Sequence, residues 1–175
     1  MRRQAIGMVL LIGLAGWLVP SPARADTFVT PFVGATFAGD APASEPVYGV
    51  GVGGGGVVGL EGEFGYAPDF FSQSTGVTSS DVLTLMANLL VGAPRGPVRP
   101  YVTGGLGLIR QQRDLSASGL LSHISSDDFG FNVGGGARFM LTKHLAVRGD
   151  LRYFKVRKSG GLGFWRAYGG LALGF

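Results

Sequence analysis

The sequence predicts an all-β fold, an eight-stranded antiparallel up-and-down transmembrane β-barrel, and three observations carry that expectation. Beyond residue 25, extended segments with period-two alternation recur to the end of the chain without any long helical period. Charged residues make up only 15% of the chain, where soluble domains run near ~25%. The connections alternate between short turns and longer polar stretches, as they do when one end of a barrel faces the periplasm and the other the outside.

Residues 1–25 read as a cleaved signal peptide. Arg2 and Arg3 precede an apolar run over 5–19, followed by Pro20, Pro22 and the small-residue site Ala23-Arg24-Ala25. The run is shorter than the ~20 residues of a spanning helix. Residues 26–175 are then a single barrel domain.

Strand one, over 27–37, sets Val29, Pro31, Val33, Ala35 and Phe37 on one side. Pro31 marks a weakly paired position near a seam, because proline has no N–H to give to a ladder. Strand two, 47–54, opposes Tyr48, Val50 and Val52 to Gly49, Gly51 and Gly53; strand three, 58–66, opposes Leu60, Phe64 and Tyr66 to Glu61 and Glu63. Strand four, 81–91, sets Leu83, Leu85, Ala87, Leu89 and Val91 against Thr84, Met86 and Asn88. Strand five, 101–109, gives Val102, Leu106 and Leu108 opposite Thr103, Gly105 and Gly107. Strand six, 128–141, gives Phe129, Phe131, Val133, Ala137, Phe139 and Leu141 opposite Asn132, Gly134, Gly136 and Arg138.

Strand seven, 145–154, shows most plainly which residues share a face. Leu145, Val147, Gly149, Leu151 and Tyr153 fall on one side, and Ala146, Arg148, Asp150, Arg152 and Phe154 on the other. Strand eight, 164–175, places Trp165, Ala167, Leu171, Leu173 and Phe175 opposite Arg166, Tyr168, Gly170 and Gly174. The count is even, as single-chain bacterial barrels require. Short turns at 55–57, 92–100 and 142–144 lie at one end, and longer polar loops follow strands one, three, five and seven.

Alternation does not say which face meets water. Two features decide it. The apolar stripes carry aromatics near their ends, with Tyr66, Phe129, Tyr153 and Trp165 at the long-loop end and Phe139 and Phe175 at the other, as interface girdles do. The opposite faces are lined with glycine, and lysine occurs beyond the leader only at Lys143, Lys155 and Lys158, too little for a soluble exterior. The charged face is therefore the lumen, where Glu61, Glu63, Arg138, Arg148, Asp150, Arg152 and Arg166 form one network. In a ring of eight, strand three lies opposite strand seven, so the glutamates face arginines across an interior narrow enough to be filled by side chains.

Other chemistries find little support. With no cysteine and only His123 and His144 as imidazoles, a metal centre is not expected, and neither is any cofactor. The basic balance belongs mostly to the leader arginines, so nucleic acid is not an expected partner. Gly51, Gly53 and Gly56 match a dinucleotide-binding pattern, but a second strand follows them where a helix is needed. His123-Ile124-Ser125 resembles the His-x-Ser of outer-membrane lipid A deacylases, although Ser126 stands where that motif has Asn. A solvated loop histidine is the expected reading. Phe70 and Phe71, in the loop after strand three, either pack locally, reach the membrane interface or contact a partner. Lys155, Arg157 and Lys158 cluster in the last long loop, where lipopolysaccharide phosphates are within reach.

The segments PYVTGGLGL (100–108), FGFNVGGGARF (129–139), LAVRGDLRYF (145–154) and YGGLALGF (168–175) resemble the small eight-stranded outer-membrane barrels of the OmpA/OmpX type, in particular the "outer membrane protein beta-barrel domain" proteins. The resemblance covers the whole chain beyond the leader. It implies the cell outer membrane of a Gram-negative-type envelope, contact with its lipids and lipopolysaccharide, and a monomer. Tyr168, Gly170, Leu173 and Phe175 also resemble the signal read by the barrel-assembly machinery. The expected function is non-catalytic, structural or loop-displaying, with the lumen plugged; the alternatives are a narrow channel for small solutes and a lipid A-modifying enzyme.

Overall fold

A computed structural model describes residues 27–40, 44–68, 70, 77–93, 95–117, 120–158 and 161–175. The leader and cleavage site expected from the sequence lie outside these residues, as does Phe71. The strands are β1 (Thr27–Gly39), β2 (Glu45–Gly55), β3 (Val58–Pro68), β4 (Val77–Gly92), β5 (Val98–Ala117), β6 (Leu120–Met140), β7 (Leu145–Val156) and β8 (Gly163–Gly174). Each pairs antiparallel with its neighbour in sequence, and β8 pairs back onto β1, so the sheet closes and has no free edge.

Side-chain parity places the membrane. Leu60, Leu85, Val102, Leu106, Leu151 and Leu171 all point away from the axis and are among the exposed large apolar side chains. No water-soluble protein leaves so continuous an apolar belt uncovered. Tyr66, Phe129 and Trp165 lie on the same outer face at the long-loop end, with the Tyr153 and Trp165 rings 5.4 Å apart, while Phe139 and Phe175 lie at the short-turn end. The interior parity holds Thr30, Glu61, Glu63, Thr84, Asn88, Asn132, Arg148, Asp150, Arg152 and Arg166, all buried.

The seam between the first and last strands carries the proline. Pro31 pairs with Val50 of β2, but on its β8 side the ladder runs from Val29↔Leu173 to Phe32↔Gly170 without a partner at Thr30 or Pro31. The missing N–H thus falls at the ring's closure.

The sequence expectation fails at the outer end of β5 and β6. Residues 110–117 and 120–127 are not part of a long loop. They are paired backbone, from Arg110↔Asp127 to Ala117↔Leu120. The reason is physical: beyond the bilayer a hairpin needs no apolar stripe, only a register already set below, and the polar run continues that ladder. β5 and β6 have 20 and 21 residues, twice the ~9–11 that cross a membrane, so this hairpin rises well above it. Arg110 clamps Asp127 there at 2.5 and 2.8 Å.

That hydrogen bond holds the Asp127 carboxyl below its usual range. A carboxylate lowered in the folded state lends stability above its unfolded pKa, and that stability is lost as pH falls through the folded value. Amide-exchange protection around Arg110 and Asp127 should therefore weaken in acid, and protection unchanged down to the protonated carboxylate would contradict this. In detergent, the purified barrel should give a sheet-type far-UV spectrum and a different gel mobility when unheated, because a closed ring resists partial opening. A helical spectrum would contradict the fold.

Candidate functional site: a charged network across the lumen

The network begins with opposed walls. β3 supplies Glu61 and Glu63, and the far wall supplies Arg148, Asp150 and Arg152 from β7 and Arg166 from β8. Alternation sends all of them inward, and each is at most 6% exposed. Three arginines meet three carboxylates, so the buried charge balances.

Arg148 is ion-paired to Glu61 through Nη1. Its Nη2 donates to Glu61 Oε1 at 3.2 Å, and its Nε lies 2.7 Å from Asp150 Oδ2. Arg152 Nη2 lies 2.9 Å from both Glu61 Oε1 and Asp150 Oδ1, which ties the two walls through one group. Its Nη1 is 3.0 Å from Glu63 Oε2, an ion contact off the hydrogen-bond line. Arg166 is ion-paired to Glu63, donates to Thr84 Oγ1 at 3.2 Å and stacks over the Phe154 ring at 4.2 Å.

Neutral groups complete the arrangement, and the sequence reading did not assign them to it. Tyr101 OH accepts from Arg148 Nε at 2.6 Å and donates to Asp150 Oδ2 at 2.5 Å. Tyr168 OH donates to Glu63 Oε2 at 2.7 Å. Asn132 donates to Asn88, which donates to Glu61. The available signal was parity: Tyr101 and Tyr168 share the inward face with the charged residues of their barrel layer.

Glycine makes the room. A Cβ on Gly65 would stand 2.6 Å from Arg166 Nη1 and 2.7 Å from Thr84 Oγ1. One on Gly136 would meet Tyr101 OH at 2.8 Å and Asp150 Cγ at 3.0 Å. Gly65→Ala should therefore cost about 1–3 kcal/mol, the usual range for overpacking, measured as a lower denaturation midpoint; an unchanged midpoint would show that Arg166 can move aside.

Arg138 stands apart from the residues with which the sequence grouped it. Among the described residues it makes no ion pair; its guanidinium stacks over Phe28 at 5.1 Å and Tyr101 at 5.4 Å, and its buried Nε has no hydrogen-bond partner. Above the network, toward the long loops, lies an apolar layer that includes Val47, Phe70, Val82, Ile109, Phe154 and Phe164. Phe70 is fully buried there, edge-on to Phe164 at 5.2 Å, so it packs inward and does not reach the membrane interface.

The remaining candidates are dispersed. Tyr168 and Gly170 face the lumen side of β8, whereas Leu173 and Phe175 face outward, with Phe175 80% exposed. Deleting Phe175 should thus lower the amount of barrel in the membrane more than the stability of barrel already formed, and equal membrane levels would contradict a part in assembly. Lys155 Nζ bonds Gly161 O at 2.8 Å, Lys158 Nζ lies 3.8 Å from Asp128, and Arg157 is exposed. His123 and Ser125 lie in β6, paired with Asp114 and Gln112, not in a loop. Gly51 and Gly53 lie in β2, and β3 begins immediately after the turn holding Gly56.

A family model described as "Outer membrane protein beta-barrel domain" matches residues 15–171. The chain belongs to this family. As an outer membrane protein beta-barrel domain it is similar to Neisserial surface protein A, with a TM-score of 0.66 and 17% identity over 85% of this chain and 97% of that one. It is also similar to the N-terminal β-barrel domain of Pseudomonas aeruginosa OprF, with a TM-score of 0.61 and 21% identity over 87% of this chain and 100% of that one. A third similar structure is Ail, the attachment invasion locus protein of Yersinia pestis, in complex with the heparin analogue sucrose octasulfate: TM-score 0.57, 14% identity, 85% of this chain and 98% of that one. No curated protein sequence matches. The family places the barrel in the outer membrane, and the similar structures share its fold.

Proposed function

We propose that this barrel is a non-catalytic outer-membrane protein that displays its loops and outer hairpin from a plugged lumen. The observation that carries the reading is the balanced set of three arginines and three carboxylates spanning β3, β7 and β8, each group at most 6% exposed. Such a network costs desolvation that only its own pairing offsets, and the apolar layer above it adds a second filled level to the interior among the described residues. The paired β5–β6 extension supports the display half of the reading, since it puts backbone well beyond the bilayer on the outer side.

Liposome swelling with small sugars tests the channel alternative. Vesicles holding the barrel should swell no faster than empty ones, and solute-size-dependent swelling would favour the pore. An assay for acyl release from lipid A tests the enzyme alternative, with no release expected.

Arg157 and Lys158 are proposed to contact lipopolysaccharide phosphates. Charge reversal at both should lower the barrel's thermal stability in vesicles bearing lipopolysaccharide and leave it unchanged in phospholipid vesicles. An equal effect in the two membranes would remove that role.

A further inference from the structure

The short-turn end of the lumen holds a cavity of about 180 Å³, whose walls include Phe28, Leu90, Tyr101, Arg138 and the glycine turn around Gly55. The six charged residues of the network are not among its walls, but Tyr101 is. Exposure changes across that one residue. Tyr101 and Arg138 are half-buried, whereas Arg148 and Asp150 are 2% and 6% exposed.

At the same level the register sets two cations against each other. Arg138 is directly opposed to Arg148 across the β6–β7 ladder, and like charges so placed repel. The Tyr101 ring is a partner to both, with the Arg138 guanidinium 5.4 Å and that of Arg148 5.2 Å from its centroid. Its hydroxyl, bonded to Arg148 Nε and Asp150 Oδ2, fixes the far end of the side chain. Glycine on both flanking strands lets the ring lie there. Tyr101 pairs with Gly92 of β4 and Gly136 of β6; a Cβ on the first would stand 2.6 Å from Tyr101 Cβ, and one on the second 2.8 Å from its hydroxyl.

We propose that Tyr101 is the floor of the plug, a positioning residue whose ring keeps the water of the short-turn cavity away from Arg148 and Asp150. The cavity is several times the room that one water needs and has polar walls, so it is wet. Ionised pairs in the interior hold their strength only where water is kept out, and Arg148 with Asp150 is the pair nearest the opening. The negative face of the ring also offsets part of the repulsion between the two opposed guanidinium groups. The inference rests on the plugged-lumen reading and names the residue at which solvent stops on one side.

The test uses the full mature chain in neutral detergent with nitrogen-labelled arginine, and follows exchange of the arginine Nε protons with solvent. In wild type the Arg148 proton should exchange roughly tenfold or more slowly than that of Arg138, as a charge-assisted bond shielded from water implies. Tyr101→Ala should raise the Arg148 rate by a similar factor and leave Arg166, beneath the apolar layer, at its wild-type rate. Tyr101→Phe keeps the ring and should stay near wild type, because Arg148 Nε retains Asp150 Oδ2 at 2.7 Å. Tyr101→Leu gives the same readout should Tyr101→Ala fail to fold.

Arg148 exchanging as fast as Arg138 in wild type, an unchanged Arg148 rate in the alanine or leucine variant, a rise shared equally by Arg166, or a phenylalanine variant as fast as the alanine one overturns the floor. Each of these outcomes can occur in a barrel that carries no current, so the inference can fail while the plugged lumen stands.

Discussion

Arg152→Ala should lower the unfolding free energy of the barrel by about 3–5 kcal/mol, the cost of stranding buried charge. Arg152 is fully buried, and it alone touches all three carboxylates, with Nη2 2.9 Å from Glu61 and Asp150 and Nη1 3.0 Å from Glu63. Its removal leaves three carboxylates facing two arginines in a region without bulk water. Neither Glu61 nor Asp150 can turn elsewhere, because Arg148 binds both. The comparison is Arg138→Ala, which takes away a cation that makes no ion pair among the described residues and should change stability little. Chemical denaturation in lipid or detergent, read by unheated gel mobility, checks the pair. Equal losses for the two variants would mean that the balance of charge is not what holds the interior.

Phe164→Ala is the second large effect, at about 3–5 kcal/mol for truncating a buried phenylalanine. Its ring is 1% exposed, lies parallel to Phe154 at 5.3 Å and takes the edge of Phe70 at 5.2 Å. It therefore joins β7, β8 and the connection after β3 in one layer. Loss of the ring should also release Phe70 and so loosen that connection. Trp165, the only tryptophan besides Trp17, sits on the outer face beside it. Its emission should follow the lowered unfolding midpoint while keeping a lipid-facing wavelength in the folded state. A midpoint within experimental error of wild type would contradict a packed apolar layer above the charges.

What the sequence made legible follows from periods and counts. Alternation in 145–154 separates Leu151 from Arg152 whatever the surroundings, and a ring of eight sets β3 against β7, which is why Glu61 could be matched to Arg148. Arg138 escaped because tilted strands carry paired rows up and down the axis. Shared parity groups Arg138 with the other lumen charges, but its contacts are with Phe28 near the short-turn end. The apolar layer is less legible than the charges: Phe154 and Phe164 share the inward parity, but two phenylalanines on separate strands carry no sign that would match them across the lumen. The β5–β6 extension was illegible for a different reason, since a polar hairpin outside a bilayer has the composition of a loop and differs from one only in its backbone pairing.

The central claim is that the lumen is closed by side chains, and ion conductance across a planar bilayer tests it most directly. Wild-type barrel should show no steady conductance, whereas Arg148→Ala, by leaving Glu61 and Asp150 with Arg152 as their one remaining described ion-pair partner, should destabilise the barrel or admit ions. A large, steady conductance in wild type would contradict the claim and make the barrel a pore.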